Sequence, residues 1–267
     1  MGERVLGLKR LIVAAIILPG LIAYIYFLPP PYFLALLVGI SVLAMSEFYI
    51  MYKVPLKLYL PGILVGGILF YMSCVHQAYF LDGIFIGLFL LLLIRLLTIR
   101  TPSGSMSEIG PLGVGFFYIS GFLSFQWFLR DDVLGARHIF FLYGSVWIGD
   151  SAAYYIGTFL GKNKLYPAIS PNKTVEGAFG SMLGGTVGAV IMKIIFNVND
   201  ITMMKAIVTG AVLGIAALTG DLIESMFKRD AGVKDSSNLI PGHGGLLDKI
   251  DSVLVAGPIL YLLLRYS

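Results

Sequence analysis

Carboxylates set inside apolar stretches are the residues of this chain best placed to do chemistry. Asp221 and Glu224 interrupt an apolar run at 204–227, and Asp248 and Asp251 stand at the mouth of another at 250–265. An ionisable side chain within a membrane span is costly to hold there and usually has a function. A spacing of three puts Asp221 and Glu224 on one helix face, with Ser225 beside them, and does the same for Asp248 and Asp251. Two oxygen-rich faces therefore flank the segment 228–249. Donor sets made of oxygen suit Mg²⁺ or another hard divalent cation, and no Cys or His cluster offers a softer alternative. The competing reading, ion pairs with Lys228, Arg229 and Lys249, explains several carboxylates at one depth less well. Asp150, inside the run 138–160, reads either as part of the surroundings of such a site or as a helix–helix hydrogen-bond partner.

Two polar segments lie beside these carboxylates. One runs Lys228-Arg229-Asp230-Ala231-Gly232-Val233-Lys234-Asp235 and on through Pro241-Gly242-His243-Gly244-Gly245. Basic side chains among exposed glycine amides make a phosphate cradle. His243 has no His or Cys nearby, so its reading is a phosphate hydrogen bond or a loop role. The other segment holds Lys162 and Lys164, then Ser170-Pro171-Asn172-Lys173-Thr174 before the next apolar run. Ser170 or Thr174 would open a helix there, and its N-terminus attracts anions. Acid pairs, anion-binding loops and a membrane setting point to phosphoryl or nucleotidyl transfer on a lipid. The residue pattern names neither the nucleotide nor the lipid.

The elements that must position these groups are membrane spans. Of 267 residues, 58% are hydrophobic and 13% charged, and a mean hydropathy of +0.88 lies far outside the soluble range. Apolar segments run at roughly 11–28, 33–52, 56–74, 79–97, 111–129, 138–160, 177–196, 204–227 and 250–265. Only helices suit spans of this length, so an all-α integral membrane bundle of about nine transmembrane helices is predicted. The run 11–28 follows Lys9-Arg10 but leads into Pro29-Pro30-Pro31 instead of a small-residue cleavage site, and reads as an uncleaved first span. With the N-terminus in the cytoplasm, only Arg130, Arg137, Lys193, Lys205 and Arg265 of the 19 basic residues fall outside, as the positive-inside rule requires. Both polar segments then face the cytoplasm. Spans one to five (residues 1–137) hold few polar residues, and residues 138–267 read as the catalytic region. Gly180, Gly184 and Gly188, like Gly210 and Gly214, recur every four residues, a spacing that lets helix backbones approach closely. The lone Cys74 excludes an intrachain disulfide and a thiolate metal site. No internal repeat supports an inverted-repeat transporter.

At this point the residues resemble a known family. The run Ser225-x-x-Lys228-Arg229-x-x-x-x-Lys234-Asp235, continuing through Pro241-x-His243-Gly244-Gly245-x-x-Asp248-x-x-Asp251, is similar to the signature of phosphatidate cytidylyltransferases (CDP-diacylglycerol synthases). Upstream, Asp150, Ala153-Tyr154, Gly157, Gly161-Lys162, Ser170-Pro171, Lys173-Thr174 and Glu176-Gly177 match as well, so the resemblance covers roughly 145–251. One position departs: Lys249 stands where the family has Arg, which keeps the charge and loses the bidentate fork.

The resemblance implies that the phosphate of phosphatidic acid attacks the α-phosphorus of CTP, giving CDP-diacylglycerol and pyrophosphate at the cytoplasmic face of the cell inner (plasma) membrane. It implies Mg²⁺ or a similar cation held by Asp221 and Asp248 with Asp251, and leaves open a second cation and a homo-oligomer. Lys228, Arg229 and Lys234 would hold the triphosphate. Lys162 and Lys173, with Ser170, Thr174, Ser225 and His243, would contact one substrate or the other. The partners implied are CTP, phosphatidic acid and membrane lipids, with no nucleic acid. A CTP-dependent polyprenol- or phytol-type lipid kinase is the nearest rival. A secondary transporter using Asp150 and Asp221 as ion sites is the rival from another class.

Overall fold

The computed structural model describes residues 19–99, 101–239 and 244–266. Residues 19–27 are helical, and most of the expected span 11–28 lies outside the described residues. Eight long helices follow: α1 (Pro30–Met51), α2 (Leu56–Val75), α3 (Phe80–Thr98), α4 (Ser105–Arg130), α5 (Gly135–Leu160), α6 (Val175–Ile195), α7 (Met203–Asp230) and α8 (Leu247–Tyr266). Local sequence sets their ends. Pro30 sits at the start of α1, and Pro55 precedes α2, positions where a missing N–H costs nothing. Gly104 opens α4 at φ 80°, a left-handed conformation that glycine adopts without strain. The hydroxyls of Thr174 and Thr202 cap α6 and α7, accepting from Gly177 N at 3.1 Å and Lys205 N at 3.2 Å.

Six of the described helices are long and apolar enough to cross a membrane, so this is a multi-pass membrane protein. The expected spans at 138–160 and 250–265 are helices α5 and α8, but neither is among the six, because each carries polar residues of the site described below. The all-α expectation needs one addition. Segment 161–176 is not a plain loop: β1 (Lys164–Tyr166) and β2 (Ser170–Thr174) form an antiparallel hairpin that pairs Lys164 with Thr174 and Tyr166 with Ser170.

The C-terminal helices pack as a series, α5 on α6, α6 on α7 and α7 on α8. Glycine makes this possible. A Cβ on Gly188 would stand 2.7 Å from Gly144 O, and one on Gly210 2.5 Å from Gly185 O, so the spacing of four marks backbone contact. At Gly220 a Cβ would come within 3.2 Å of Ser252 Cα. That contact brings the turn of α7 carrying Asp221 against the turn of α8 carrying Asp251. In the N-terminal half, Leu64, Phe85, Phe89 and Leu96 point outward, as side chains bathed in hydrocarbon can. Residues Leu37, Met45, Phe48 and Tyr49 of α1 are fully buried and make that helix a fixed post inside the bundle.

Candidate active site

A cavity of about 740 Å³ opens where α5, the β-hairpin, α7 and α8 meet. Asp150, Asp221, Asp248 and Asp251 supply its acidic wall, and Lys173 and Lys228 its basic groups. Ala153 and Leu218 add an apolar flank. Asp150 thus lines the cavity, and its carboxyl is also hydrogen-bonded to Ser252 of α8, so both readings of it meet there.

Each acid is held differently. Asp221 takes the ammonium of Lys173, reaching in from β2, at 2.7 Å, and the hydroxyl of Ser225 at 3.2 Å. Asp248 accepts from Lys228 Nζ at 2.6 Å, Gly245 N at 2.7 Å, Ser236 Oγ at 2.9 Å and Ser236 N at 3.0 Å. Asp251 is buried and accepts from Ser252 N at 2.8 Å. Glu224 is fully buried and faces Lys228 from one turn below on α7. One ammonium therefore serves two carboxylates, and the helix spacing of four is what brings Glu224 to it.

These placements sort the residues expected from the sequence. Asp221, Asp248, Asp251, Lys173, Lys228, Ser170 and Thr174 all line one cavity, although they lie up to 81 residues apart in sequence. Thr174 spends its hydroxyl on the cap of α6, while Ser170 lies in β2 and opens no helix. Lys162, Arg229, Lys234 and Lys249 are exposed and do not line the cavity. Arg229 instead ties two loops together, donating to Ile169 O at 3.2 Å and Val233 O at 3.0 Å. His243 lies outside the described residues.

Both loops are pinned by glutamates. Glu176, in the first turn of α6, accepts from Lys162 N at 3.1 Å, Asn163 N at 3.2 Å and Asn163 Nδ2 at 2.8 Å. The second clamp is Glu47, and sequence reasoning missed it. It comes from α1 and, among the described residues, accepts four hydrogen bonds, from residues 236, 237, 246 and 247. A signal was present, a single carboxylate in an apolar span, but nothing near it in sequence suggested a partner.

A sequence profile of the cytidylyltransferase family matches residues 8–267. The chain belongs to the cytidylyltransferase family. Among its relatives is a protein of Bacillus subtilis named phosphatidate cytidylyltransferase, 36% identical over 242 residues, which cover 87% of this chain and 88% of that one. Proteins of the same name from Staphylococcus epidermidis and Thermotoga maritima are 39% identical over 159 residues and 33% identical over 174. Those alignments cover 60% of this chain and 57% of the staphylococcal protein, and 64% of both chains for Thermotoga.

For this cytidylyltransferase-family chain, the donor set fits a hard cation: the cavity offers carboxylate and hydroxyl oxygens and no sulfur. Among the described residues no three carboxylate, imidazole or thiol groups converge as a ready-made cage.

Proposed function

We infer that this chain transfers the cytidylyl group of CTP to phosphatidic acid, leaving CDP-diacylglycerol in the membrane and releasing pyrophosphate. The observation that carries the reading is one cavity in an apolar helix bundle that combines carboxylates, lysines and a capped helix N-terminus. It is supported by a relative named for this activity that aligns with 87% of the chain. A phosphate oxygen of phosphatidic acid forms a bond to the α-phosphorus of CTP. The bond from that phosphorus to the bridging oxygen breaks, and pyrophosphate leaves with the electron pair.

Asp221 and Asp248 are the residues that would hold a divalent cation, which would neutralise charge on the triphosphate and on the departing pyrophosphate. Lys173 stands where it can turn from Asp221 to an incoming phosphate. Lys228 is committed to Glu224 and Asp248, so its part is to fix Asp248 before it touches any substrate. No side chain need act as general base, because a phosphate monoester is already ionised near neutral pH. The lipid-kinase and transporter readings explain the complete run from Ser225 to Asp251 less well.

The deciding assay is purified protein with labelled CTP and phosphatidic acid. The expected products are a lipid-soluble cytidine compound and pyrophosphate, formed only with a divalent cation. Formation of CDP and a phosphorylated alcohol would replace this reading with the lipid kinase.

The bacterial plasma membrane, with the cavity facing the cytoplasm, is the setting this chemistry needs, since CTP is cytoplasmic. Asn199 and Asn238 are both exposed, and they sit on opposite ends of α7. In a Cys74→Ser background, a membrane-impermeant thiol reagent should label Asn199→Cys in intact cells and Asn238→Cys only after the cells are opened. The reverse pattern would invert the topology and remove the cavity from its nucleotide.

A further inference from the structure

We propose that Glu47 of α1 is a positioning residue for the transfer, holding the segment that carries Asp248 in its working geometry. This rests on the functional reading above. Glu47 is the single charged residue of α1 and is only 5% exposed. Its Oε1 accepts from Ser237 Oγ at 2.6 Å and Leu246 N at 2.9 Å. Its Oε2 accepts from Leu247 N at 2.8 Å and Ser236 Oγ at 3.0 Å. Each oxygen takes one hydroxyl and one backbone amide, and the partners lie 189 to 200 residues away in sequence.

The chemistry demands a carboxylate. Donors approach both oxygens, so glutamine would point its NH₂ at one hydroxyl and one amide. The four donors come from residues 236–237 and from residues 246–247, so one side chain ties these two positions together. Leu247 N belongs to the first turn of α8, directly before Asp248, where a negative charge also suits the helix dipole.

The coupling to Asp248 is direct. The hydroxyl of Ser236 lies 3.0 Å from Glu47 Oε2 and 2.9 Å from Asp248 Oδ2. It has one hydrogen, so it serves one carboxylate at a time. When Asp248 engages another partner, Glu47 can take that hydrogen and keep Ser236 in place. Packing confirms how tight the joint is: a Cβ on Gly245 would come within 2.5 Å of Glu47 Oε2. The buried neighbours Phe48 and Tyr49 anchor α1 itself, so the clamp is fixed to a rigid element.

The test combines two measurements on the full-length protein in detergent. Glu47→Gln should lower kcat about tenfold or more, the scale of a small misplacement at a reacting centre, and change KM for CTP by less than about threefold. Amide hydrogen exchange in 244–247 should speed up about tenfold or more, with exchange in α2 and α3 unchanged. If Glu47→Gln does not fold, Ser237→Ala removes a hydroxyl that bonds Glu47 and not Asp248, and should move both measurements the same way. Unchanged exchange at 244–247, or a rise spread evenly over the whole protein, overturns the proposal. So does unchanged turnover. A parent protein that makes no lipid-soluble cytidine product sinks the functional reading instead, and the exchange measurement then decides the clamp by itself.

Discussion

Asp221→Asn is expected to fold like the parent and to turn over at least about 10³-fold more slowly, as losses of this class of charge do. The geometry makes this the cleanest single test of the cavity. Asp221 has two partners, Lys173 on Oδ2 and the Ser225 hydroxyl on Oδ1. Asparagine can keep its oxygen toward Lys173 and give its NH₂ to the hydroxyl of Ser225, which also accepts. Shape and hydrogen bonds survive, and only the charge goes. Asp248→Asn should be equally inactive, but for two reasons at once. Its Oδ1 meets an ammonium, while its Oδ2 meets two backbone N–H groups and a hydroxyl. An NH₂ at either position faces donors, so the loop is disturbed along with the charge. Steady-state rates at saturating CTP, phosphatidic acid and Mg²⁺ decide both. A loss smaller than about tenfold for Asp221→Asn would take that residue out of the reaction.

Gly214→Leu should strongly destabilise the helix bundle. Gly214 of α7 faces α6 so closely that a Cβ would come within 2.7 Å of Ser181 C and 3.0 Å of Met182 Cα. Those are backbone atoms, which cannot rotate away as a side chain can. The Ser181 hydroxyl also donates to Gly214 O at 2.8 Å, so separating the helices breaks a buried hydrogen bond. Overpacking of a tight core costs ~1–3 kcal/mol, and four further side-chain carbons should put this site at the upper end or beyond. The measurement is the thermal midpoint of the detergent-purified protein, with Gly39→Ala as the control. A Cβ at Gly39 meets nothing within 4 Å, so the control should melt with the parent. Equal midpoints for Gly214→Leu and Gly39→Ala would mean that α6 and α7 do not touch there.

Much of this molecule was readable along the chain because it depends on local composition. Apolar runs became helices at nearly the expected places, since a span must satisfy its own backbone and needs no partner to do so. Glycines four apart became backbone contacts, and carboxylates three apart came to share helix faces, because both follow from the helical repeat. Several residues of the family resemblance between 145 and 251, among them Asp150, Lys173, Lys228, Asp248 and Asp251, line the cavity, whereas Lys162, Arg229, Lys234 and Lys249 do not.

What sequence left undecided depends on which distant groups meet. Lys228 reads as a phosphate ligand, yet folding buries it between Glu224 and Asp248. Arg229, its neighbour, points the other way, because successive residues on a helix are about 100° apart. The hairpin at 164–174 was hidden in a polar segment whose alternation is too short to stand out. Glu47 is the clearest case. Its type and its apolar surroundings were visible, but its partners lie 189 to 200 residues on, and no period links them. Sequence by itself determined the apolar helical runs, the residues that share a helix face and the kind of chemistry. Only the tertiary structure decided which carboxylates face the cavity and which one holds the loop, because long-range hydrogen bonds leave no local pattern to read.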